Sequence, residues 1–196
     1  MFFQQLINGL SIGSIYGLAS VGYALIYSIL GFSNFAHGEM TMVGAFAAFF
    51  AMTAANLPFP VALLVGAGGS ALAAVTMERF AYRPLRLKKA PSLYFFIAAM
   101  GVSITLMNTA IVTLSATFRT FPPIFPVKTV SLGAISIGVI DLVVFGVAAV
   151  AVTILEFVLN FTRIGKAIRA AAYDSTTAAM MGISMDRVCF TVFVMA

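Results

Sequence analysis

Long apolar runs, interrupted only by polar turns and two basic blocks, constrain this chain more than any other feature. Before Glu78 the only charged side chain is Glu39. A bilayer core takes about 20 helical residues per crossing, and only helices or closed barrels satisfy every backbone polar group inside it. Segments 6–30, 40–55, 61–77, 92–114 and 141–161 come close to that length and character. The expected fold is therefore an all-α polytopic membrane protein with five complete transmembrane helices. Residues Cys189 to Ala196 read as the start of a sixth, and eight apolar residues cannot cross a bilayer. The expectation is a chain cut short at its C-terminus. With 62% hydrophobic and 9% charged residues and a mean hydropathy of +1.08, a soluble core is excluded. No linker divides the chain, so residues 1–196 form a single transmembrane domain.

The net charge of +5 does not indicate nucleic-acid binding. Of the 11 lysines and arginines, five fall in 78–89 and four in 162–187. By the positive-inside rule both blocks are cytoplasmic. Counting from them, the N-terminus and the proline turn at 56–60 are external, and so is a loop over 116–140. Pro122, Pro123 and Pro126 extend the first half of that loop. Segments 127–132 and 135–139 roughly alternate around Gly133, which predicts a small periplasmic β-hairpin. The count fails if 31–39 is instead a mid-membrane break of one helix, as in transporters that line cavities with broken helices. The N-terminus lacks the basic region of a cleaved signal, so the first span is expected to be retained. One cysteine, Cys189, excludes an internal disulfide.

Small residues recur at Gly9, Gly13 and Gly17, one face of the first helix, where another backbone can approach closely. Ordinary helix packing is the simpler expectation there, and a bordering substrate path the sharper one. The run Gly66, Gly68, Gly69, Ser70 is not a phosphate loop, since no Gly-Lys-Ser/Thr follows and no strand precedes it. The chain has no nucleotide motif of its own. Ser103, Thr105, Asn108 and Thr109 suit interhelical hydrogen bonds better than ligands. Asp141 opens the fifth span, and Glu156 near its inner end is expected to pair with Arg163 or another cation.

The polar turn at 31–39 holds the only histidine, His37, two residues from Glu39. One reading is a turn at headgroup depth, with Ser33 or Asn34 capping the next helix and Glu39 favouring its dipole. The other gives Asn34, His37 and Glu39, with Asn108, a place in a substrate path or gate, because ionisable groups in a membrane are costly. An intramembrane enzyme using His37 and Glu39 would lack a nucleophile, metal ligands or a second convergent acid. Residues two apart also point to different helix faces. A channel or proton-coupled carrier would carry charges within its spans, whereas Asp141 and Glu156 lie near span ends. No catalytic residue, metal or bound cofactor is expected.

In the second basic block, Arg163, Lys166 and Arg169 share one helix face, suited to anionic headgroups or solvent. Asp174 is a good N-cap and Gly182 a good C-cap for about two turns between them. Ser184 can cap a further helix from Met185. A two-turn helix is marginal alone, so tertiary packing or a docked subunit must hold it.

Leu6-Ile-Asn-Gly-Leu-Ser-Ile-Gly-Ser-Ile-Tyr16, Gly22-Tyr-Ala-Leu-Ile-Tyr27 and Asn34-Phe-Ala-His-Gly-Glu39 resemble the branched-chain amino acid permease family of ABC importers, in its LivH-type half. Glu78-Arg-Phe-Ala-Tyr-Arg-Pro-Leu85 resembles that family's first inner loop. Thr162-Arg-Ile-Gly-Lys-Ala-Ile-Arg-Ala170 with Asp174, Ala178 and Met181-Gly-Ile183 resembles its coupling loop, here 162–187. The resemblance implies a bacterial inner-membrane permease paired with a second permease subunit. Two cytoplasmic ATPases would hydrolyse ATP for it, and a periplasmic or lipid-anchored binding protein would deliver branched-chain amino acids. Arg163, Gly165, Arg169, Ala170, Asp174, Ala178 and Gly182 would then form the ATPase coupling element. Arg119 and Lys128 lie on the side where the binding protein docks. The Asn-Phe-Ala-His-Gly-Glu motif is shared with importers of urea or short amides, which is the alternative substrate class. Family members continue for several more spans, whereas this chain stops.

Overall fold

The computed structural model describes residues 2–115, 117–122, 129–132 and 135–196. Helix α1 (Phe2–Leu30) ends where Gly31 takes a φ of +67°, the left-handed stop that glycine adopts without strain. Helix α2 (His37–Thr53) carries Glu39 in its first turn. It ends before Asn56, whose φ is +50°, and before Pro58. That proline opens α3 (Phe59–Met77), with Pro60 in the first turn, where its missing N–H costs nothing.

The basic block 78–89, expected to leave the membrane as an inner loop, instead prolongs α3. A π turn (Glu78–Tyr82) leads into α4 (Arg83–Leu87). The Arg83 N–H bonds to the Glu78 carbonyl in the i→i+5 register. Pro84, which has no N–H to give, follows at once. The helix stops at Lys89, φ +52°, ahead of Pro91. Helix α5 (Ser92–Leu114) comes next, then strands β1 (Thr129–Leu132) and β2 (Ile135–Gly138). These strands pair antiparallel, from Thr129 opposite Gly138 to Leu132 opposite Ile135. Pro123, Pro126, Lys128 and Gly133 lie outside the described residues. Helix α6 (Val139–Phe161), α7 (Arg163–Tyr173), α8 (Ser175–Met180) and α9 (Met185–Met195) complete the order.

Four helical stretches are long and apolar enough to cross a membrane: Gln4–Leu30, Phe59–Leu87, Ser92–Leu114 and Val139–Phe161. Of the five spans expected, the second is the exception. With 17 residues, α2 reaches only about 26 Å at 1.5 Å per residue.

Close helix contact occurs at different glycines from those singled out in α1. A Cβ on Gly44 would lie 2.9 Å from the Gly66 carbonyl oxygen, and one on Gly69 2.8 Å from the Ala47 Cβ. Helices α2 and α3 therefore pack backbone to backbone, which only small residues permit. Around Gly9, Gly13 and Gly17 a Cβ would meet nothing within 4 Å. The expected packing at that stripe has no neighbour among the described residues. Helix α1 instead leans on α6 by another face, where buried Ser11 donates to Asp141 Oδ1 at 2.8 Å. The buried core collects at one end of the bundle. Leu25, Phe32, Met40, Met77, Tyr82, Phe95, Ile168, Val192 and Phe193 meet there, while α5 and α6 leave most of their apolar surface open.

Candidate functional site

At that packed end the polar turn is clamped rather than free. Asn34 is 1% exposed. Its Oδ1 accepts from the Tyr82 hydroxyl at 2.8 Å and from the Ala36 N–H at 3.2 Å. Phe32 packs against Tyr82 and Phe95, with ring centroids 5.2 and 5.0 Å away. Neither Ser33 nor Asn34 caps α2 as expected. The residue at the cap position is Ala36, with no side-chain bond, and Asn34 forms an Asx turn just before it. The reason is register: the helix starts at His37, so Asn34 lies two residues before the cap position and its Oδ1 reaches the Ala36 N–H rather than the first helical turn.

His37 meets the Tyr23 ring edge-on at 6.2 Å. With Met40, Ser70 and Ala74 it lines a cavity of about 190 Å³ bordered by Phe193. Glu39 Oε2 and Asn34 Nδ2 are buried without hydrogen-bond partners. Asn108 does not join this group. It is exposed on α5 and donates to the Ile104 carbonyl of its own helix at 2.7 Å, about 20 Å along that helix from Phe95 at 1.5 Å per residue.

An ion-pair cluster that sequence reading missed ties the π turn to α9. Arg86 Nη2 lies 2.8 Å from Glu78 Oε1 and 2.7 Å from Asp186 Oδ1, and Arg83 Nη2 lies 3.0 Å from Asp186 Oδ2. The hydrogen bond from Arg86, then that from Arg83, holds the Asp186 carboxyl below its ordinary range. Asp186 also sits in the first turn of α9, where the helix dipole favours a carboxylate. The only signal in the sequence was a lone carboxylate opening each helical stretch. The expected pairing of Glu156 with Arg163 or another cation is absent. Among the described residues, ion pairs involve Glu78, Arg83, Arg86 and Asp186 alone. Glu156 stays on α6, and the facing end of α7 is taken by other bonds.

Those bonds fix α7 against α6. The Thr162 hydroxyl accepts from the Gly165 N–H at 3.0 Å and caps α7. A Cβ on Gly165 would collide with the Val158 and Leu159 carbonyls. Arg169 donates to the Leu159 carbonyl and, at 2.8 Å, to Asn160 Oδ1. It thus covers the carbonyl end of α6, where a cation is favoured. Arg163, Lys166 and Ala170 stay exposed.

Helix α8 is capped at both ends. Asp174 Oδ1 accepts from the Thr176 and Thr177 N–H groups at 2.9 and 3.2 Å, and the Thr177 hydroxyl also donates to its carboxylate. These bonds hold the Asp174 carboxyl below its ordinary range, the Thr177 hydroxyl most of all. At the other end Gly182 takes φ +84°, and the Ile183 N–H reaches the Ala178 carbonyl at 3.1 Å. Ala178 points inward at 4% exposure, while Met180 and Met181 are 82% and 81% exposed and Tyr173 95%.

Arg119 is engaged within the chain. It donates to the Leu114 carbonyl at 2.9 Å, with its guanidinium over the Phe50 and Phe49 rings at 5.6 and 5.9 Å. Lys128, paired with it in the docking expectation, lies outside the described residues. No group of three or more His, Cys, Asp or Glu among the described residues is arranged to hold a metal ion.

A family model described as branched-chain amino acid transport system, permease component, matches residues 5–196. The chain is 32% identical over 205 residues to the high-affinity branched-chain amino acid transport system permease protein BraD of Pseudomonas aeruginosa. It is 35% identical over 205 and 206 residues to the corresponding LivH proteins of Salmonella typhimurium and Escherichia coli K12. Each match takes in 98% of this chain and 66% of the relative, so the chain spans about two thirds of their length. No solved structure matches it.

Proposed function

The chain belongs to the family of branched-chain amino acid transport permease components, and from that premise we propose that it is a membrane-spanning subunit of a binding-protein-dependent ABC importer for branched-chain amino acids. The observation that carries this reading is α8. It is a two-turn helix held by a cap at each end, with Ala178 anchored inward and Met180 and Met181 presented outward beside Tyr173 at the end of α7. A helix this short is marginal alone, and its exposed apolar side fits a hydrophobic groove on a partner. In this reading α8 is the coupling element seated in a cytoplasmic ATPase. Its motion reaches the bundle through α7, which Gly165 and Arg169 lock to α6.

On this reading both basic blocks face the cytoplasm, the N-terminus is external, and α2 is a fifth membrane-embedded helix packed on α3. Two such subunits, two ATPases and a binding protein would complete the importer, with Arg119 near the binding-protein side. His37, in its cavity between α2, α3 and α9, is the path residue with the best geometry. Asn34 and Glu39 flank it, and Asn108 would belong to a different stretch of the path.

The test is uptake of labelled leucine by the chain reconstituted with its permease, ATPase and binding-protein partners. Uptake that requires ATP and is blocked by valine but not urea is expected. Uptake driven by a proton gradient without ATP would refute the importer in favour of a carrier. Competition by urea would keep the importer and discard the substrate.

A further inference from the structure

A cavity of about 610 Å³ opens between the π turn, the start of α7 and the link from α8 into α9. Arg79, Arg83, Arg163 and Arg187 line it, together with the carboxylates of Glu78 and Asp186. Both carboxylates are already taken, Glu78 by Arg86 and Asp186 by Arg83 and Arg86. Arg79, Arg163 and Arg187 are exposed and make no ion pair among the described residues. Among the described residues, three guanidinium groups therefore border one cavity whose two carboxylates are both held by other arginines. We propose that this cavity binds the phosphate headgroup of an anionic phospholipid.

Guanidinium is the side chain best matched to phosphate oxygens, which it contacts in a planar fork. Several features favour a lipid as the source of that phosphate. The charged stretch begins directly after the apolar part of α3, and Arg163 follows directly after α6. The cavity mouth thus lies where two spans leave their apolar stretches, which is headgroup depth. Much of the remaining lining is apolar, including Ile164, Val188 and Phe190, and suits the first carbons of acyl chains. Arg163 and Gly182 of the coupling loop border the cavity, but Met180, Met181 and Tyr173 are not among the lining residues, so the exposed apolar side chains that a partner would cover lie outside it. The inference rests on the importer reading only for placing this end at the cytoplasmic leaflet, whose anionic lipids attract such clusters.

The test titrates the full chain in detergent with phosphatidylglycerol or phosphatidylcholine and counts bound lipid by native mass spectrometry. Wild type should prefer phosphatidylglycerol by about 100-fold, at roughly fivefold for each of the three arginines. The Arg79→Gln/Arg187→Gln variant should lose about 25-fold in phosphatidylglycerol affinity on the same basis, and Arg79→Lys/Arg187→Lys, which keeps the charge but not the planar fork, should fall between that variant and wild type. Equal binding of the two lipids, or a glutamine variant that binds as wild type does, overturns the proposal. Displacement of the lipid by millimolar inorganic phosphate overturns it too, in favour of a free-phosphate site. Should the glutamine variant fail to fold, phenylglyoxal labelling of wild type decides. Phosphatidylglycerol should protect Arg79 and Arg187, and labelling unaffected by it refutes the site. None of these readings needs ATP or an amino acid, so they stand or fall apart from leucine uptake.

Discussion

Replacing Tyr82 by Phe removes one oxygen from the packed end of the bundle, and the cost can be worked from its surroundings. Tyr82 is 0% exposed, and its hydroxyl reaches Asn34 Oδ1 at 2.8 Å. The amide oxygen keeps a second donor, the Ala36 N–H at 3.2 Å, so the substitution weakens Asn34 without orphaning its acceptor. The ring still packs on Phe32, Phe95 and Phe193, and no cavity larger than a hydroxyl forms. The net loss should thus be that of one buried hydrogen bond, about 1–1.5 kcal/mol. For a chain of this length that is a fall in Tm of about 2–5 °C. Asn34→Ala should cost more, since it also frees the Ala36 N–H. The double variant should cost less than the sum, with a coupling of about 1 kcal/mol. Thermal unfolding of the four proteins in one detergent reads the cycle directly. An unchanged Tm in Tyr82→Phe, or strict additivity, would show that the turn is not held to the π segment in this way.

Other substitutions separate glycines that the sequence cannot rank. Gly165→Ala drives a methyl into the Val158 and Leu159 carbonyls and should destabilise by about 1–3 kcal/mol, as overpacking does. Gly9→Ala meets open space and should leave Tm unchanged or raise it slightly, since alanine favours a helix by up to about 1 kcal/mol. Both are read by thermal unfolding. Removing the cap with Asp174→Ala should speed hydrogen exchange of 175–181 and lower binding-protein-stimulated ATPase activity. Unchanged exchange would mean that Ala178 and Ile183 alone hold α8. The pH dependence follows from Asp186, whose carboxyl is depressed by Arg86 and Arg83. Its contribution is present above the unfolded carboxylate value, about 3.9, and is lost as pH falls through the lower folded value. Tm should therefore be flat from neutral pH to about 5 and drop below about 4. Asp186→Asn should lower the neutral plateau and flatten that acid limb.

Much of the architecture was legible because hydrophobic span length is a local property. The end of α1, the start of α5 and the end of α6 follow from apolar runs bounded by Gly31, Pro91 and Thr162. The caps of α8 were legible for the same reason, since Asp174 and Gly182 act on backbone within three or four residues of themselves. What could not be read depended on which helix lies opposite. The stripe at Gly9, Gly13 and Gly17 has the same spacing as a packing groove, yet the close approach is at Gly44 and Gly66. Asn34 has the composition of a cap, yet a tyrosine 48 residues away claims its oxygen. Asp186 gave no sign of its partners because Arg83 and Arg86 are 103 and 100 positions distant. The basic block 78–89 looked like a loop because charge reports sidedness and says little about whether a helix continues.

The π turn at Glu78–Tyr82 acts as a phase shifter. A single extra residue in a helix advances everything after it by only about 1.5 Å but rotates it by about 100°. Arg83 and Arg86 both follow the turn and meet Asp186 from the face that this rotation gives them. Deleting one residue between 78 and 82 would keep the helix length nearly unchanged and swing both guanidiniums away from α9. Length in this short stretch is therefore a coordinate of the fold in its own right. Two relatives with the same arginines but a one-residue difference here would present them in different directions.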